Sequence, residues 1–135
     1  MVQRDGFQII VTDKAGISSF PTSQGAVVGR MVFTSGHGPL SPGGSSVKAK
    51  TLQEQVKQTI ENIECVLKEA GSGLEHIVRM QVFLRRFEDF AEFNKVYAEL
   101  MPRPLPPRAC VIADLVREDI DVEMIADAVI PEKAE

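Results

Sequence analysis

Short runs of β-branched and other apolar residues recur along the chain and predict strands at 7–11, 26–28, 31–34, 78–84, 109–115 and 120–129. Gly29 and Arg30 separate the second and third runs, and a glycine-first pair suits the type II′ turn of a hairpin. Residues 36–46 contain four glycines, two prolines and three serines. We therefore expect a flexible loop after the hairpin.

Two longer stretches have the periodicity of amphipathic helices. The first begins with the capping-box pair Thr51 and Glu54 and ends at Gly71. Its apolar positions at helical spacing are Leu52, Val56, Ile60, Ile63, Leu67 and Ala70. The second has Asp89 as its expected N-cap and Pro102 as its end. Its buried stripe is Phe90, Phe93, Tyr97 and Leu100.

The order strand, helix, strand, helix, strand predicts an α+β fold in which right-handed crossovers place both helices on one face of a mixed sheet. Alternation in the last strand gives it two different sides. One carries Ile120, Val122, Met124, Ala126 and Ala128, and the other carries Asp121, Glu123, Ile125, Asp127 and Val129. The second side is half polar, as expected where sheets of several subunits meet around sites.

Composition narrows the class of protein. A chain of 135 residues, 44% of them hydrophobic, predicts one domain spanning residues 1–135. The net charge of -4 and the scattered Lys and Arg argue against a nucleic-acid partner. No apolar run has the length of a signal core or a membrane span, which predicts a cytoplasmic protein without a membrane partner. Isolated cysteines (Cys65, Cys110) and histidines (His37, His76) predict neither a metal site nor a disulfide.

Arg108 and Glu123 are the leading candidates for chemistry. Arg108 follows Pro106 and Pro107 at the start of an apolar strand, where a planar fork of donors suits capture of a carboxylate or phosphate. Glu123 can accept or donate one proton from the next strand. Together they suggest a site that anchors a small anion and moves a proton without a cofactor. The alternative is an ordinary cross-strand ion pair.

Several motifs, in this order and spacing, make the chain resemble the Rid (YjgF, L-PSP) family of reactive-intermediate deaminases over nearly its whole length. The motifs are Gln24-Gly25, Thr34-Ser35-Gly36, Asp89-Phe90 with Asn94 and Tyr97, Pro107-Arg108-Ala109-Cys110-Val111, and Val122-Glu123. Each is weak alone, since short motifs occur by chance.

The resemblance implies a chorismate-mutase-like homotrimer with a site in each cleft between subunits. In that site Arg108 would hold a substrate carboxylate, and Glu123 would position or activate a water. The other implied pocket residues are Ser35, Gly36, Cys110 and Asn94. The implied reaction is hydrolysis of small 2-imino acids and their enamines, of the 2-iminobutanoate and 2-iminopropanoate (2-aminoacrylate) type, to 2-keto acids and ammonia. No cofactor is implied.

Some positions depart from the family pattern or have two interpretations. Thr22 stands where the best-known deaminases have tyrosine, which predicts a smaller and more polar wall of the substrate pocket. His37 replaces a common glutamine and is expected to be a solvated loop residue rather than a proton donor. Ser35 either bonds substrate or satisfies the strand end, while Asn94 is expected to face the cleft. Cys110 is expected to act as a small hydrophobe rather than a nucleophile.

Two other functions remain open. One is a non-catalytic trimer that binds a small carboxylate at Arg108 for regulation, which would not require Glu123. The other is the single-strand endoribonuclease activity behind one family name, which the acidic balance and the lack of a basic groove with stacking aromatics argue against.

Overall fold

The structure, a computed structural model, describes residues 1–132. Its strands are Val2–Arg4 (β1), Phe7–Ile10 (β2), Gly25–Val28 (β3), Met31–Thr34 (β4), Ile77–Leu84 (β5), Arg108–Ile112 (β6) and Val122–Val129 (β7). The α-helices are Leu52–Glu69 (α1) and Phe90–Leu100 (α2), and short 3-10 turns cover Leu74–His76 and Phe87–Asp89. None of these helices is long and apolar enough to cross a bilayer.

The strands form one mixed sheet in the order β1-β2-β3-β4-β7-β5-β6. Only β5 and β6, which are joined through α2, are parallel neighbours, and the other neighbouring pairs are antiparallel. The last strand therefore lies between β4 and β5, so β4 and β5 run in the same direction without touching. The α+β class with two helices and a mixed sheet, predicted from the sequence, is confirmed.

The boundaries of α1 follow the local chemistry expected for them. The Thr51 side chain accepts a hydrogen bond from the Glu54 amide at 3.1 Å. At the other end, Gly71 has φ of +87°, and the Gly71 and Ser72 amides donate to the carbonyls of Lys68 and Leu67. This is a Schellman motif, which explains why the helix ends where glycine is available.

The expected cap of α2 is wrong. Asp89 precedes the helix but makes no capping hydrogen bond. The 3-10 turn Phe87–Asp89 leads directly into α2, and the Asp89 carboxylate lies 3.6 Å from the Arg86 guanidinium instead. Helical backbone already formed before Phe90 makes a separate side-chain cap unnecessary.

The predicted hairpin turn is present, whereas strand β1 and the ends of β6 and β7 differ from the prediction. The hairpin turn has Gly29 at φ of +60° and no other residue with positive φ, as a type II′ turn requires. The short strand β1, which pairs with β2, has no alternating pattern and was not expected.

Strand β6 ends at Ile112 rather than Leu115, and β7 begins at Val122 rather than Ile120. The connection between them is instead held by Arg117, which binds Asp119 and the Ser45 carbonyl.

The two faces of the sheet differ as the alternation predicts. Even-numbered residues of β7 from Val122 to Ala128 are buried, and they join side chains from both helices in one core. Odd-numbered residues of β7 are half-buried on the other side, which we call the open face. Its members also include Phe33 and Val28 from the hairpin and Val111 from β6, as the strand registers show.

Candidate functional site

Glu123 lies on the open face, where no basic side chain among residues 1–132 pairs with its carboxylate. It is half-buried, and this burial raises the pKa of its carboxyl group. It lines a cleft of about 280 Å³ together with Thr22, Ser35 and Gly36. These four residues, which we call the Glu123 half-site, were all predicted from the sequence to belong to the substrate pocket.

A β-bulge brings Gly36 against this carboxylate. Phe33 of β4 pairs with Asp127, and His37, just beyond β4, pairs with Met124. The four-residue advance from Phe33 to His37 therefore matches an advance of only three residues on β7, which defines the bulge. A side chain at position 36 would place its Cβ 2.9 Å from Glu123 Cδ. Glycine is therefore needed here for close approach. The flexible loop expected from residue 36 onward in fact begins as an extension of the sheet.

Arg108 lies at the start of β6 and points to the helix side of the sheet. Its guanidinium donates to Asn94 Oδ1 at 2.8 Å and lies over the rings of Tyr97 at 4.9 Å and Phe93 at 5.6 Å. These contacts fix one side of the planar fork and leave its other N–H groups without a protein partner among residues 1–132. Arg108 and Asn94, each predicted separately to line the pocket, therefore contact each other within one chain.

Cys110 shares the face of Arg108 because it lies two residues further along β6. Burial raises the pKa of the Cys110 thiol, and the nearby Arg108 lowers it by a smaller amount. A protonated thiol against the core fits the expected role as a small hydrophobe. Arg108, Asn94 and Cys110 are called the Arg108 half-site below.

The two half-sites do not meet within one chain. Glu123 pairs with Phe83 on the open face, whereas Arg108 pairs with Met80, whose side chain is in the core, and β5 separates β6 from β7. The alternative of a cross-strand ion pair between Arg108 and Glu123 is therefore wrong. Each group is available for another partner.

The expectation for His37 is also wrong, because His37 is only 6% exposed. Its backbone exchanges two hydrogen bonds with Met124, and its Nε2 lies 3.0 Å from the Gln24 carbonyl and 3.4 Å from Ser35 Oγ. Desolvation by burial lowers the pKa of the imidazole, against a smaller opposing effect of the Gln24 carbonyl. A glycine-rich sequence gave no sign that this residue would be enclosed.

Two polar residues that organise the Glu123 half-site were not predicted as site residues, although Gln24 belongs to one of the family motifs. The Gln24 side chain bonds both backbone groups of Thr12 and the Gly16 carbonyl. Asn62, on α1, accepts from the Gly16 amide and donates to the carbonyls of Gly38 and Leu40. Both are buried. The sequence did contain a signal for Asn62, which is a polar residue next to Ile63 in the apolar stripe of α1. A polar side chain buried at such a position usually has hydrogen-bond partners.

Within residues 1–132, no group of three or more His, Cys, Asp or Glu side chains is arranged to hold an ion. The two half-sites supply hydrogen-bonding groups, one fixed positive charge at Arg108 and one carboxyl group with a raised pKa at Glu123.

The protein is thus an α+β protein whose sheet carries an arginine, Arg108, bonded to Asn94 on one face and a half-buried glutamate, Glu123, on the other. Residues 15–130 match the sequence model of the endoribonuclease L-PSP family, and the chain belongs to that family. It is 36% identical to a RutC family protein of Pyrococcus abyssi over 121 residues, 90% of this chain and 95% of the relative.

Solved structures agree with this assignment. RidA of an Antarctic Psychrobacter superposes with a TM-score of 0.86 at 31% identity, covering 91% of this chain and 99% of RidA. TdcF of Escherichia coli, solved with bound serine, gives a TM-score of 0.83 at 34% identity, covering 90% of this chain and 98% of TdcF. TdcF carries the provisional description of a reactive intermediate deaminase. The family resemblance inferred from the motifs is confirmed, and it supports a reactive-intermediate deaminase at family level.

Proposed function

We propose that this protein is a hydrolytic deaminase of small 2-imino acids and their enamine tautomers, and that it acts as a homotrimer. Each active site would combine the Arg108 half-site of one protomer with the Glu123 half-site of the next. The observation that carries this proposal is the position of Arg108 and Glu123 on opposite sides of one sheet, each half-enclosed and without an ionic partner among residues 1–132.

The open face supports assembly with further copies of the chain. Phe33, Val28 and Val111 are 41%, 47% and 48% exposed there. An apolar surface beside a half-polar strand is typical of an interface between subunits rather than of a monomer in water. Burying this face would also remove water from around Glu123.

The reaction follows from what each group can do. The free N–H groups of Arg108 suit bidentate binding of the substrate carboxylate, which holds the imine carbon in place. The Glu123 carboxylate accepts a proton from water as the water oxygen attacks the iminium carbon, which gives a carbinolamine. Glu123 then returns this proton to the amino nitrogen, the C–N bond breaks as the C=O bond forms, and ammonia takes the hydroxyl proton and leaves as ammonium beside the 2-keto acid. Ser35 would donate a hydrogen bond within the same pocket.

The competing function is a trimer that binds a small carboxylate without turnover. The decisive experiment is an assay in which an amino-acid oxidase generates imines of different side chains in situ while their loss is followed with the wild type and Glu123→Gln. In Glu123→Gln we expect turnover to fall on the order of a hundredfold or more, because the proton acceptor is lost. Calorimetry with 2-oxobutanoate should show that its affinity is largely retained.

Glu64→Gln is a suitable control, since Glu64 lies on α1 and its carboxylate pairs only loosely with Lys68 at 3.8 Å. It should match the wild type in both measurements. Undiminished turnover in Glu123→Gln would contradict the assigned role of the glutamate. Binding of 2-oxobutanoate by a wild type that does not accelerate imine loss would favour the non-catalytic binder.

A further inference from the structure

Three hydrogen-bond donors converge on the backbone carbonyl oxygen of Gln24. The Ser35 amide lies 3.0 Å from this oxygen, His37 Nε2 lies 3.0 Å from it and Ser35 Oγ lies 3.2 Å from it. A carbonyl oxygen has two lone pairs, so three donors exceed its ordinary capacity. One of the three must direct its hydrogen elsewhere.

The Ser35 hydroxyl is the donor that can turn away. The Ser35 amide is fixed by the backbone, and the His37 ring is buried on a residue whose backbone is tied to Met124 by two hydrogen bonds. A hydroxyl hydrogen, in contrast, rotates freely to suit its surroundings. The hydroxyl also makes the longest of the three contacts, and Ser35 lines the Glu123 cleft.

The same geometry determines the tautomer of His37. The Gln24 carbonyl only accepts hydrogen bonds, so Nε2 of the neutral ring must carry the hydrogen. Ser35 Oγ lies 3.4 Å from Nε2, and towards this N–H group the serine oxygen can act only as a hydrogen-bond acceptor. His37 is therefore unable to remove the Ser35 proton, and the two residues do not form a nucleophile and base.

We propose that His37 is a positioning residue that occupies the Gln24 carbonyl and thereby keeps the Ser35 hydroxyl hydrogen directed into the Glu123 cleft, where it bonds the substrate. This inference rests on the proposed function, because it assigns how Ser35 takes part in that reaction. Without a donor at position 37, the hydroxyl turns back to the Gln24 carbonyl and its hydrogen bond to the ligand is lost.

A double-mutant cycle tests this relationship. His37→Leu and Ser35→Ala should each weaken 2-oxobutanoate binding and lower kcat/KM for imine hydrolysis about 3- to 10-fold, the size of one neutral hydrogen bond. The double variant should be no worse than either single variant, because both remove the same interaction. His37→Gln should restore most of the loss, since its amide group can donate to the Gln24 carbonyl.

A structural role for His37 predicts a different pattern. The positioning role is wrong if His37→Leu lowers 2-oxobutanoate affinity and kcat/KM as much in the Ser35→Ala background as it does in the wild type. It is also wrong if His37→Gln fails to restore these two quantities. Thr59→Val is the control for general destabilisation, because Thr59 is buried on α1 and its hydroxyl donates only to the Gln55 carbonyl. It should lower the melting temperature without changing 2-oxobutanoate affinity.

Nitrogen-15 NMR of the imidazole gives a readout that does not depend on activity. The wild type should show His37 protonated at Nε2 and unprotonated at Nδ1, and the opposite tautomer would overturn the inference. A wild type that neither hydrolyses imines nor binds 2-oxobutanoate would instead contradict the proposed function itself. A functional wild type with an additive cycle would contradict only the role of His37.

Discussion

Arg108 and Glu123 lie on opposite faces of the same sheet, with strand β5 between the strands that carry them. Arg108 is held by Asn94 and stacks against α2, while Glu123 is held against Gly36 on the open face. Neither can reach the other within one chain. A reaction that needs both must therefore use two copies of the protein, which is the basis of the proposed site.

Gly36→Ala should disturb the glutamate without unfolding the protein. The added Cβ would lie 2.9 Å from Glu123 Cδ, which forces the carboxylate to move. We expect kcat for imine hydrolysis to fall about tenfold or more, because misplacement of a reacting group by about 1 Å is costly. Gly44→Ala is the matched control, since no atom of residues 1–132 lies within 4 Å of a Cβ there. Equal kcat values for the two variants would show that Gly36 does not position Glu123.

The raised pKa of Glu123 has consequences for activity and stability. A base with this pKa should lose activity on the acidic side at a pH above the ordinary glutamate value of 4.5. Burial favours the neutral form, so the contribution of Glu123 to stability is present below pH 4.5 and is lost as the pH rises through the raised pKa.

Glu123→Gln should consequently melt at a higher temperature than the wild type at pH 7, and the difference should shrink towards pH 4. Thermal unfolding followed by circular dichroism from pH 4 to pH 7 measures the difference in melting temperature and its change with pH. A variant that is less stable than the wild type at pH 7 would mean that the carboxylate is stabilised by a contact that the single chain does not contain.

Arg108→Lys tests the planar fork separately from its charge. Lysine keeps the positive charge but loses both the Asn94 contact in its present form and bidentate binding of a carboxylate. We expect 2-oxobutanoate to bind about 10- to 100-fold more weakly, with a parallel fall in kcat/KM. Arg103→Lys, on the exposed proline-rich segment, should have no effect. Wild-type affinity in Arg108→Lys would remove Arg108 as the carboxylate anchor.

Thr22→Tyr tests which wall sets the substrate range. Thr22 lines the Glu123 cleft, and its hydroxyl donates only to the neighbouring Ser23 carbonyl. A tyrosine there should fill part of the cleft and reduce the rates with bulky imino acids more than the rates with small ones. Relative rates that stay the same across side chains would place position 22 outside the substrate pocket.

Local chemistry explains which features were predictable. The caps of α1, the turn at Gly29 and the alternation of β7 depend on neighbouring residues and follow from the sequence. The family motifs also predict Arg108, Glu123 and Gly36 as pocket residues, which stays a prediction. What depends on strand order does not follow, because the insertion of β7 between β4 and β5 decides which faces these residues share. The burial of His37 depends likewise on its pairing with Met124, which is far away in the chain.

A subunit-mixing experiment tests the two-copy site most directly. Arg108→Ala and Glu123→Gln chains should each be inactive alone but should form active sites when they are unfolded together and refolded in equal amounts. The account predicts recovery of about a quarter of wild-type activity, because in a random cyclic assembly one site in four pairs an intact Arg108 half-site with an intact Glu123 half-site. Light scattering should give a trimer mass for the mixture. A refolded trimer with no recovered activity would contradict a site shared between neighbouring chains.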